Sequence, residues 1–305
     1  MKIKTTLVLA SVFAASQAFG QAAFPPPPPK VSPAVGVIDM HAHSHPDVFG
    51  RNMDDIDLAT LAKARGMRGI VLKNHISETA SRAALTMKVV PGIEVFGGIV
   101  LNNAVGGINP AAVEWMHRIY GSRGKVVWLP TFESDKHVKT FGKPDAKGIV
   151  VAPGGKVIAE MEAILKIIAR ENLLLATGHV HPEEVLAVVK RGRELGVKNM
   201  IVTHGLTNVP GLTMAQAKQA VEMGAVIEVC FLQFQAGPNA PLAFLRHWTQ
   251  INAKHVAQAA KEFGARGLVI SSDLGQSANM THPDGLEVAI AAMKAEGLTD
   301  DDIDQ

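Results

Sequence analysis

The chain has 305 residues, with 47% hydrophobic and 19% charged side chains and a formal net charge of +2 at pH 7. This near-neutral balance and the lack of a basic cluster argue against nucleic-acid binding. The single cysteine, Cys230, excludes an intramolecular disulfide, and its position in the apolar run GAVIEVCF predicts a buried core residue.

The first 20 residues have the pattern of a secretory signal peptide. Lys2 and Lys4 precede an apolar run from Leu7 to Ala15, and small residues suited to signal peptidase follow at 16–20. Because this run is too short to span a bilayer, we expect cleavage and a periplasmic or secreted mature protein with no membrane segment; a retained N-terminal anchor is the alternative. Residues 21–34, which include AAFPPPPPK, predict a stiff proline-rich spacer.

Eight short apolar runs alternate with helical patterns over residues 35–305. The runs are VGVIDMHAH, RGIVLKNH, IEVFGGIVLN, GKVVWLPTFE, NLLLATGHV, NMIVTHG, GAVIEVCF and GLVISSDLG. Near-continuous Val, Ile and Leu is typical of parallel strands that are covered on both faces. Eight such units predict one α/β domain, a (β/α)₈ barrel of the TIM type. A doubly wound sheet is the alternative, and the lack of a glycine-rich phosphate loop after the first strand weakens it.

The first strand carries an unusual group of histidines. In VIDMHAHSHP, His41, His43 and His45 occupy alternate positions. Side chains of a strand alternate between its faces, so these imidazoles point the same way as Asp39. Three imidazoles on one face need a shared partner, and a metal ion is the commonest partner of neutral imidazole.

Polar residues of the kind that bind metals stand at the ends of most of the predicted strands. In a (β/α)₈ barrel these carboxyl ends form the active-site face. Each residue alone is equally compatible with a satisfied core histidine or a helix cap, but together they predict one site. The residues, in strand order, are His41, His43, Lys73, His75, Asn102, Glu133, His179, His204 and Asp273.

This set resembles the amidohydrolase superfamily of metal-dependent hydrolases. The motifs that carry the resemblance are DMHAH, ATGH, VTHG and SSD, and they cover the mature chain in strand order. The resemblance implies a barrel hydrolase whose metal ligands are His41, His43, His179, His204 and Asp273. Within the superfamily the chain looks closest to an uncharacterised branch, so no particular substrate follows.

The bridging ligand departs from the pattern of the superfamily. Many members carry a carboxylated lysine on strand four and others use glutamate; here strand four ends in Glu133, while the well-placed lysine is Lys73 on strand two. We expect Glu133 to be the bridging ligand and keep Lys73 as a candidate for carboxylation or substrate polarisation. A mononuclear site, held mostly by His41, His43 and His179, is also open.

The ligand types indicate the chemistry. Imidazole and carboxylate suit Zn²⁺, as one or two ions, with Mn²⁺ or Fe²⁺ as alternatives. Such a metal lowers the pKa of bound water from about 16 towards 7, and Asp273 is placed to take and return the proton. We expect His75, His204 and Asn102 to stabilise a developing oxyanion.

Weaker candidates lie in the loops. Arg51 and His282 are suited to binding an anionic substrate. Four histidines in helices or in the long connection are interpreted as surface residues: His117, His137, His247 and His255. Residues 134–156 form that long connection, and GIVVAPGGKVI within it predicts a hairpin that is either decoration or a lid.

The function predicted from the sequence is hydrolysis of a small-molecule amide, lactam, lactone or ester by an exported protein. One alternative is a metal-dependent phosphoesterase of the polymerase-and-histidinol-phosphatase type, which also begins with His-x-His. Another is a non-catalytic periplasmic barrel that binds a metal or ligand, against which the placement of Asp273 argues. The sequence leaves open whether the chain forms a homo-oligomer.

Overall fold

The computed structural model describes residues 31–143 and 145–305. The predicted signal peptide and most of the proline-rich spacer lie outside the described residues. Ser32–Gln305 form one compact unit. Within it Ala34, the last residue assigned to the spacer, is already buried. In the described part of the chain, no helix is long and apolar enough to cross a membrane.

Eight parallel strands form a single sheet whose spatial order is their order in the chain. The strands are β1 (Ile38–Ala42), β2 (Gly69–Leu72), β3 (Glu94–Val100), β4 (Gly124–Trp128), β5 (Leu174–Ala176), β6 (Asn199–Val202), β7 (Val226–Cys230) and β8 (Leu268–Ser271). Each one coincides with a predicted apolar run, since both faces of the sheet are covered. The predicted (β/α)₈ barrel is therefore confirmed.

Helices connect the strands and cover the outside of the sheet. They are α1 (Asp55–Ala64), α2 (Ala80–Val89), α3 (Pro110–Arg118), α4 (Asp135–Phe141), α5 (Ala159–Arg170), α6 (Pro182–Glu194), α7 (Met214–Glu222), α8 (Ala253–Phe263), α9 (His282–Ala295) and α10 (Asp300–Asp304). Apolar side chains of the helices and the strands form the largest buried cluster. A second cluster of strand residues, with Trp128 as its largest member, fills the barrel interior. This division into a helix–sheet layer and a packed interior is typical of the fold.

The first and last strands meet at a seam, which we define as the contacts between residues 39–43, in β1 and just after it, and residues 271–274, at the end of β8 and just after it. Backbone N–H groups donate across it from Asp273 to the His41 carbonyl (2.8 Å) and from His43 to the Leu274 carbonyl (3.0 Å). The buried Asp39 carboxylate accepts from the Ser272 backbone N–H (2.9 Å) and hydroxyl (2.5 Å). The seam closes the barrel and brings the two ends of the chain's sheet together.

The long connection after β4 differs from the prediction. The expected hairpin is wrong: α4 occupies the start of the connection, Ser134 and Ile149 share an isolated bridge, and a 3₁₀ turn spans Pro153–Gly155. The backbone N–H groups of Val151 and Ala152 donate to the Glu184 carboxylate, at 2.7 and 2.9 Å, and not to a partner strand. The connection is thereby fastened to the start of α6.

Candidate metal centre

Three buried side chains from the two sides of the seam converge on one point. The Asp273 Oδ1 atom lies 3.0 Å from His41 Nε2 and 3.1 Å from His43 Nε2. The ligand atoms of this trio all lie within 4.8 Å of one another. Ligands at 2.0–2.2 Å from an ion are separated from each other by roughly 3 to 3.5 Å. The trio therefore has the spacing of a metal-binding set.

The other two predicted ligands lie beside this trio. His204 Nε2 is 3.6 Å from Asp273 Oδ2, and the His204 ring is 5.2 Å from the rings of both His41 and His179. His179 Nε2 is buried and has no hydrogen-bond partner among the described residues. Because a buried polar atom without a partner is costly, this nitrogen fits a site that accepts a further ligand.

Backbone conformation helps to aim two of these side chains. His204 and Asp273, just beyond the ends of β6 and β8, have φ values of 52° and 53°. Non-glycine residues adopt this left-handed region rarely, and they do so preferentially at functional sites. The sharp change of direction at each strand end leaves both side chains inside the barrel mouth.

The protonation states suit metal binding. Burial lowers the pKa of His204 to about 4 and the pKa of His43 and His179 well below the ordinary value. For Asp273, burial raises the pKa, but the nearby His41 charge and the hydrogen bonds from His41 and His43 outweigh it and hold the pKa well below its usual range. Neutral imidazoles and an ionised carboxylate are the forms that ligate metals.

His41 differs from the other histidines. Burial lowers its pKa, but the Asp273 and Glu228 carboxylates outweigh burial and raise the pKa to about 8. A cation at this position would compete with that proton, because a ligating imidazole nitrogen must be deprotonated. Metal affinity at His41 should therefore increase with pH.

Lys73, the residue after β2, also lies against the His41 side chain. Its side chain is almost fully buried, and its Nζ atom lies 2.8 Å from His41 Nε2 and 5.6 Å from the Trp128 ring centroid. Burial lowers its pKa, which favours the neutral amine that carboxylation requires. His75, two residues further on, stacks on His43 at 4.9 Å and contacts the Thr131 hydroxyl through Nδ1.

Glu133 and Asn102 lie outside the converging set. The Glu133 carboxylate accepts a hydrogen bond from the Asn103 backbone N–H at 2.6 Å and is not among the clustered ligand atoms. The Asn102 amide donates to the Thr131 hydroxyl (2.9 Å) and accepts from the Thr131 backbone N–H (3.0 Å). Both side chains connect neighbouring strand ends.

The two loop candidates have different surroundings. Arg51 lines the cavity above the site, but its guanidinium pairs with Asp47 at 2.7 Å and contacts His43 Nδ1 at 3.2 Å. His282 is fully buried at the start of α9, where its Nε2 contacts the His43 carbonyl at 3.0 Å. His282 is thus buried against the backbone that follows β1.

Two residues at the site were missed by the sequence interpretation. Both Glu228 carboxylate oxygens lie 3.3 Å from His41 Nδ1. His137 Nδ1 lies 2.9 Å from His179 Nδ1, so the interpretation of His137 as a surface residue is wrong. A charged residue inside the apolar run GAVIEVCF was the available signal for Glu228. His137 lies in the polar connection and offers no comparable signal.

A cavity of about 620 Å³ opens above the centre. Its lower wall is formed by His43, Lys73, His179, His204 and Asp273, and its upper walls are largely aromatic. Phe141 and Trp248 stack at 4.9 Å on one side, while Phe49 and Phe132 meet edge to face at 6.1 Å on the other. The exposed His247 also lines the cavity. The site is thus a polar floor under apolar walls.

The protein is thus a parallel eight-stranded α/β barrel with a buried His–Asp cluster at the carboxyl ends of its strands. Residues 36–228 match the model described as "Family of unknown function (DUF6282)", and the chain belongs to that family. No curated protein matches the chain.

Solved structures share the fold. Organophosphorus hydrolase from Deinococcus radiodurans is 14% identical with a TM-score of 0.57, over 88% of this chain and 89% of that one. A structure described as "Molecular Engineering of Organophosphate Hydrolysis Activity from a Weak Promiscuous Lactonase Template" is 13% identical with a TM-score of 0.58, over 90% and 93%. At these identities the likeness establishes the barrel fold.

Proposed function

We propose that this protein is an exported metal-dependent hydrolase that cleaves an amide, lactam, lactone or ester of a small molecule. The observation that carries the proposal is the convergence of His41 Nε2, His43 Nε2 and Asp273 Oδ1 beneath an open cavity. Solved structures with the same fold include proteins described as an organophosphorus hydrolase and a lactonase template. The motif resemblance of the strand ends supports the same chemistry.

The donor set fits Zn²⁺, with one or two ions. His41, His43 and Asp273 would hold a first ion. His179, whose Nε2 has no hydrogen-bond partner among the described residues, and the neighbouring His204 would offer donors for a second. When bound, such a cation polarises the scissile carbonyl and makes water nucleophilic near neutral pH. The protein has the nitrogen and oxygen ligands that this metal prefers.

Residues of the chain supply the remaining steps. The Asp273 carboxylate, ionised and buried at the floor of the cavity, accepts the proton of the attacking water and returns it to the leaving group. We assign donation to the developing oxyanion to His75, which lines the cavity beside His43. The aromatic walls favour a substrate with an apolar group.

Lys73 is proposed to act either as a neutral amine or, after carboxylation, as an oxygen ligand. Its depressed pKa and its position 2.8 Å from His41 Nε2 support both roles. Incubation with ¹³C-bicarbonate, followed by ¹³C NMR, separates them: a carbamate resonance that is absent from Lys73→Met indicates carboxylation.

The phosphoesterase alternative is not favoured. A phosphate monoester needs free cationic donors, whereas the guanidinium of Arg51 is already paired with Asp47. We therefore expect activity on neutral esters and lactones to exceed activity on phosphate monoesters.

The test separates metal binding from proton transfer. Asp273→Asn keeps an oxygen at the Oδ1 position but no base, so it should keep the fold and most of the metal and lose about 10²–10⁴-fold in turnover, the usual contribution of general acid–base catalysis. His41→Ala and His43→Ala should lose metal and activity together. Metal analysis and kinetics on the same preparations, with a panel of aryl esters and lactones, measure both. A fully active, fully metal-loaded Asp273→Asn protein would disprove the mechanism.

Export is a separate part of the proposal. The N-terminal pattern supports a mature chain that begins near residues 19–24. N-terminal sequencing of protein from the periplasmic fraction tests it, and an intact Met1 in the cytosol would contradict it.

A further inference from the structure

We infer that Glu228 is a positioning residue that fixes the tautomer and orientation of His41 so that Nε2 is presented to the metal. This inference deepens the proposed function and rests on His41 being a ligand. Glu228 lies on β7, is buried inside the barrel and contacts His41 on the side away from the candidate metal centre.

The geometry assigns the proton. Both Glu228 oxygens lie 3.3 Å from His41 Nδ1, and the Ser271 hydroxyl donates to Oε1 at 2.8 Å. An ionised carboxylate only accepts hydrogen bonds, so Nδ1 carries the hydrogen that it donates to Glu228. When only one imidazole nitrogen is protonated, the lone pair is on Nε2, which faces Asp273 and Lys73.

Alternative partners for this nitrogen are weaker. The Cys230 thiol lies 3.7 Å from His41 Nδ1, and burial raises its pKa well above the ordinary value, so it stays a neutral thiol. A charged acceptor forms a stronger hydrogen bond than a neutral sulfur. Glu228 is therefore the partner that determines the tautomer.

His43 provides a comparison within the same site. Its Nδ1 contacts a neutral acceptor, the Lys73 backbone carbonyl, at 3.0 Å and the cationic Arg51 guanidinium at 3.2 Å. Both arrangements leave Nε2 facing Asp273, but only the arrangement at His41 adds a negative charge behind the ring. A carboxylate behind a ligating histidine raises the basicity of the ligand and strengthens metal binding.

The Glu228 carboxylate also lies within 4.8 Å of ligand atoms of His41, His204 and Cys230, but burial keeps the Cys230 thiol protonated, and a thiol ligates metals as the thiolate. Strand pairing does not require the Glu228 charge. β7 and β8 already pair through their backbones, including Cys230 with Ser271. A buried carboxylate is costly unless it is paired, and a second carboxylate, Asp273, stands on the far side of His41. A divalent cation between the histidines would balance these two charges.

The test measures Zn²⁺ affinity by competition with a chromogenic chelator. Glu228→Gln keeps the shape and an acceptor but removes the charge, whereas Glu228→Met removes both. Loss of such a partner lowers metal affinity by about 10- to 100-fold, so we expect about 10-fold for Glu228→Gln and about 100-fold for Glu228→Met. The matched control is Glu184→Gln, which changes a buried carboxylate at the start of α6 and should leave Zn²⁺ affinity unchanged.

A spectroscopic readout distinguishes positioning from a merely structural role. Long-range ¹H–¹⁵N spectra of the Zn²⁺-loaded protein, labelled at histidine, should show His41 protonated at Nδ1 and metal-bound at Nε2. Thermal unfolding of the metal-free variants reports whether they fold. If Glu228→Met does not fold, Glu228→Gln alone is used for the test.

Unchanged Zn²⁺ affinity in a folded Glu228→Gln protein, or His41 protonated at Nε2, would overturn the inference. If either result is found and His41→Ala still loses Zn²⁺, the proposed function stands without a role for Glu228. If Glu228 behaves as expected and no ester, lactone, amide or lactam is cleaved, the hydrolase proposal alone fails. A wild-type protein that takes up no Zn²⁺ would contradict both.

Discussion

His204 and Asp273 place polar side chains on a left-handed backbone, which glycine adopts without strain. An L-residue with a Cβ atom pays about 1–2 kcal/mol in this region. The backbone at position 204 is therefore strained by the presence of a histidine, where glycine would be relaxed. This strain supports a role of the imidazole in the site.

Two substitutions at position 204 test for this strain. His204→Gly and His204→Ala both remove the imidazole, but only glycine relieves the strain. We expect the metal-free glycine variant to be more stable than the alanine variant by about 1 kcal/mol in urea unfolding. An alanine variant of equal or greater stability would show that the backbone at this strand end is relaxed.

His282 gives the metal-free protein a pH dependence. Burial lowers its pKa from 6.5 to about 4. Between these values the unfolded chain binds a proton that the folded protein excludes, so the free energy of unfolding falls as the pH falls from 6.5 to 4.

We expect His282→Gln, which can still donate to the His43 carbonyl but cannot titrate, to reduce this slope by up to about 1.4 kcal/mol per pH unit. Urea unfolding in the presence of a chelator, at several pH values between 4.5 and 7, measures the slope. Identical slopes in the wild type and the variant would show that His282 is protonated equally in both states of the chain.

At the scale of elements, α4 belongs to the site. Its His137 ring stacks on His179 at 5.0 Å, and His137 Nδ1 lies 2.9 Å from His179 Nδ1. Burial lowers the pKa of His137 to about 4, so near neutral pH it is an uncharged partner for the His179 nitrogen that faces away from the cavity floor. The helix thus links the long connection to a candidate ligand.

His137→Phe keeps an aromatic ring against Phe141 and Trp248 but removes the nitrogen partner of His179, whereas His137→Gln keeps a polar partner. We expect Zn²⁺ affinity to fall by about tenfold in the phenylalanine variant and less in the glutamine variant, because the groups that orient a ligand tune its affinity. Chelator competition measures both. Equal affinity in the two variants would show that α4 only covers the site.

The same connection shows where sequence patterns are insufficient. The alternating apolar residues near Val151 predict a strand. The N–H groups of Val151 and Ala152 instead donate to the Glu184 carboxylate, which lies 33 and 32 positions further along the chain, respectively. Such a distant partner leaves no local pattern. His41, His43, His179, His204 and Asp273, in contrast, each end an apolar run, and a regular barrel brings strand ends together. Glu228 and His137 act through contacts between strands or helices, which a linear pattern does not contain.

For the whole molecule, the fold was predictable because a (β/α)₈ barrel repeats one unit, so eight apolar runs with intervening helices specify the sheet and its order. The seam is the exception, because its side-chain contacts join residues up to 233 positions apart.

The seam also predicts the effect of metal on stability. His41 lies in β1, His43 follows it directly, and Asp273 lies just beyond β8, so a cation held by all three would join the first strand to the last. Saturation at 100 times the dissociation constant adds about 2.7 kcal/mol to the free energy of unfolding.

We expect Zn²⁺ to slow hydrogen exchange at the seam amides of His43 and Asp273 more than at the Leu129 amide, which bonds to the Ala176 carbonyl between β4 and β5. Exchange followed by mass spectrometry or NMR, with and without a chelator, measures the difference. Uniform protection would indicate that the metal stabilises the barrel as a whole and does not act at the seam.

The seam determines when during synthesis the site can form. The ribosome makes β1 before β8, so the histidines of the first strand have no carboxylate from Asp273 until more than 200 further residues have been made. A nascent or partly translocated chain therefore lacks the complete ligand set. For a protein that crosses a membrane unfolded, the metal would then be selected from the ions of the compartment where folding ends, not from those where translation begins.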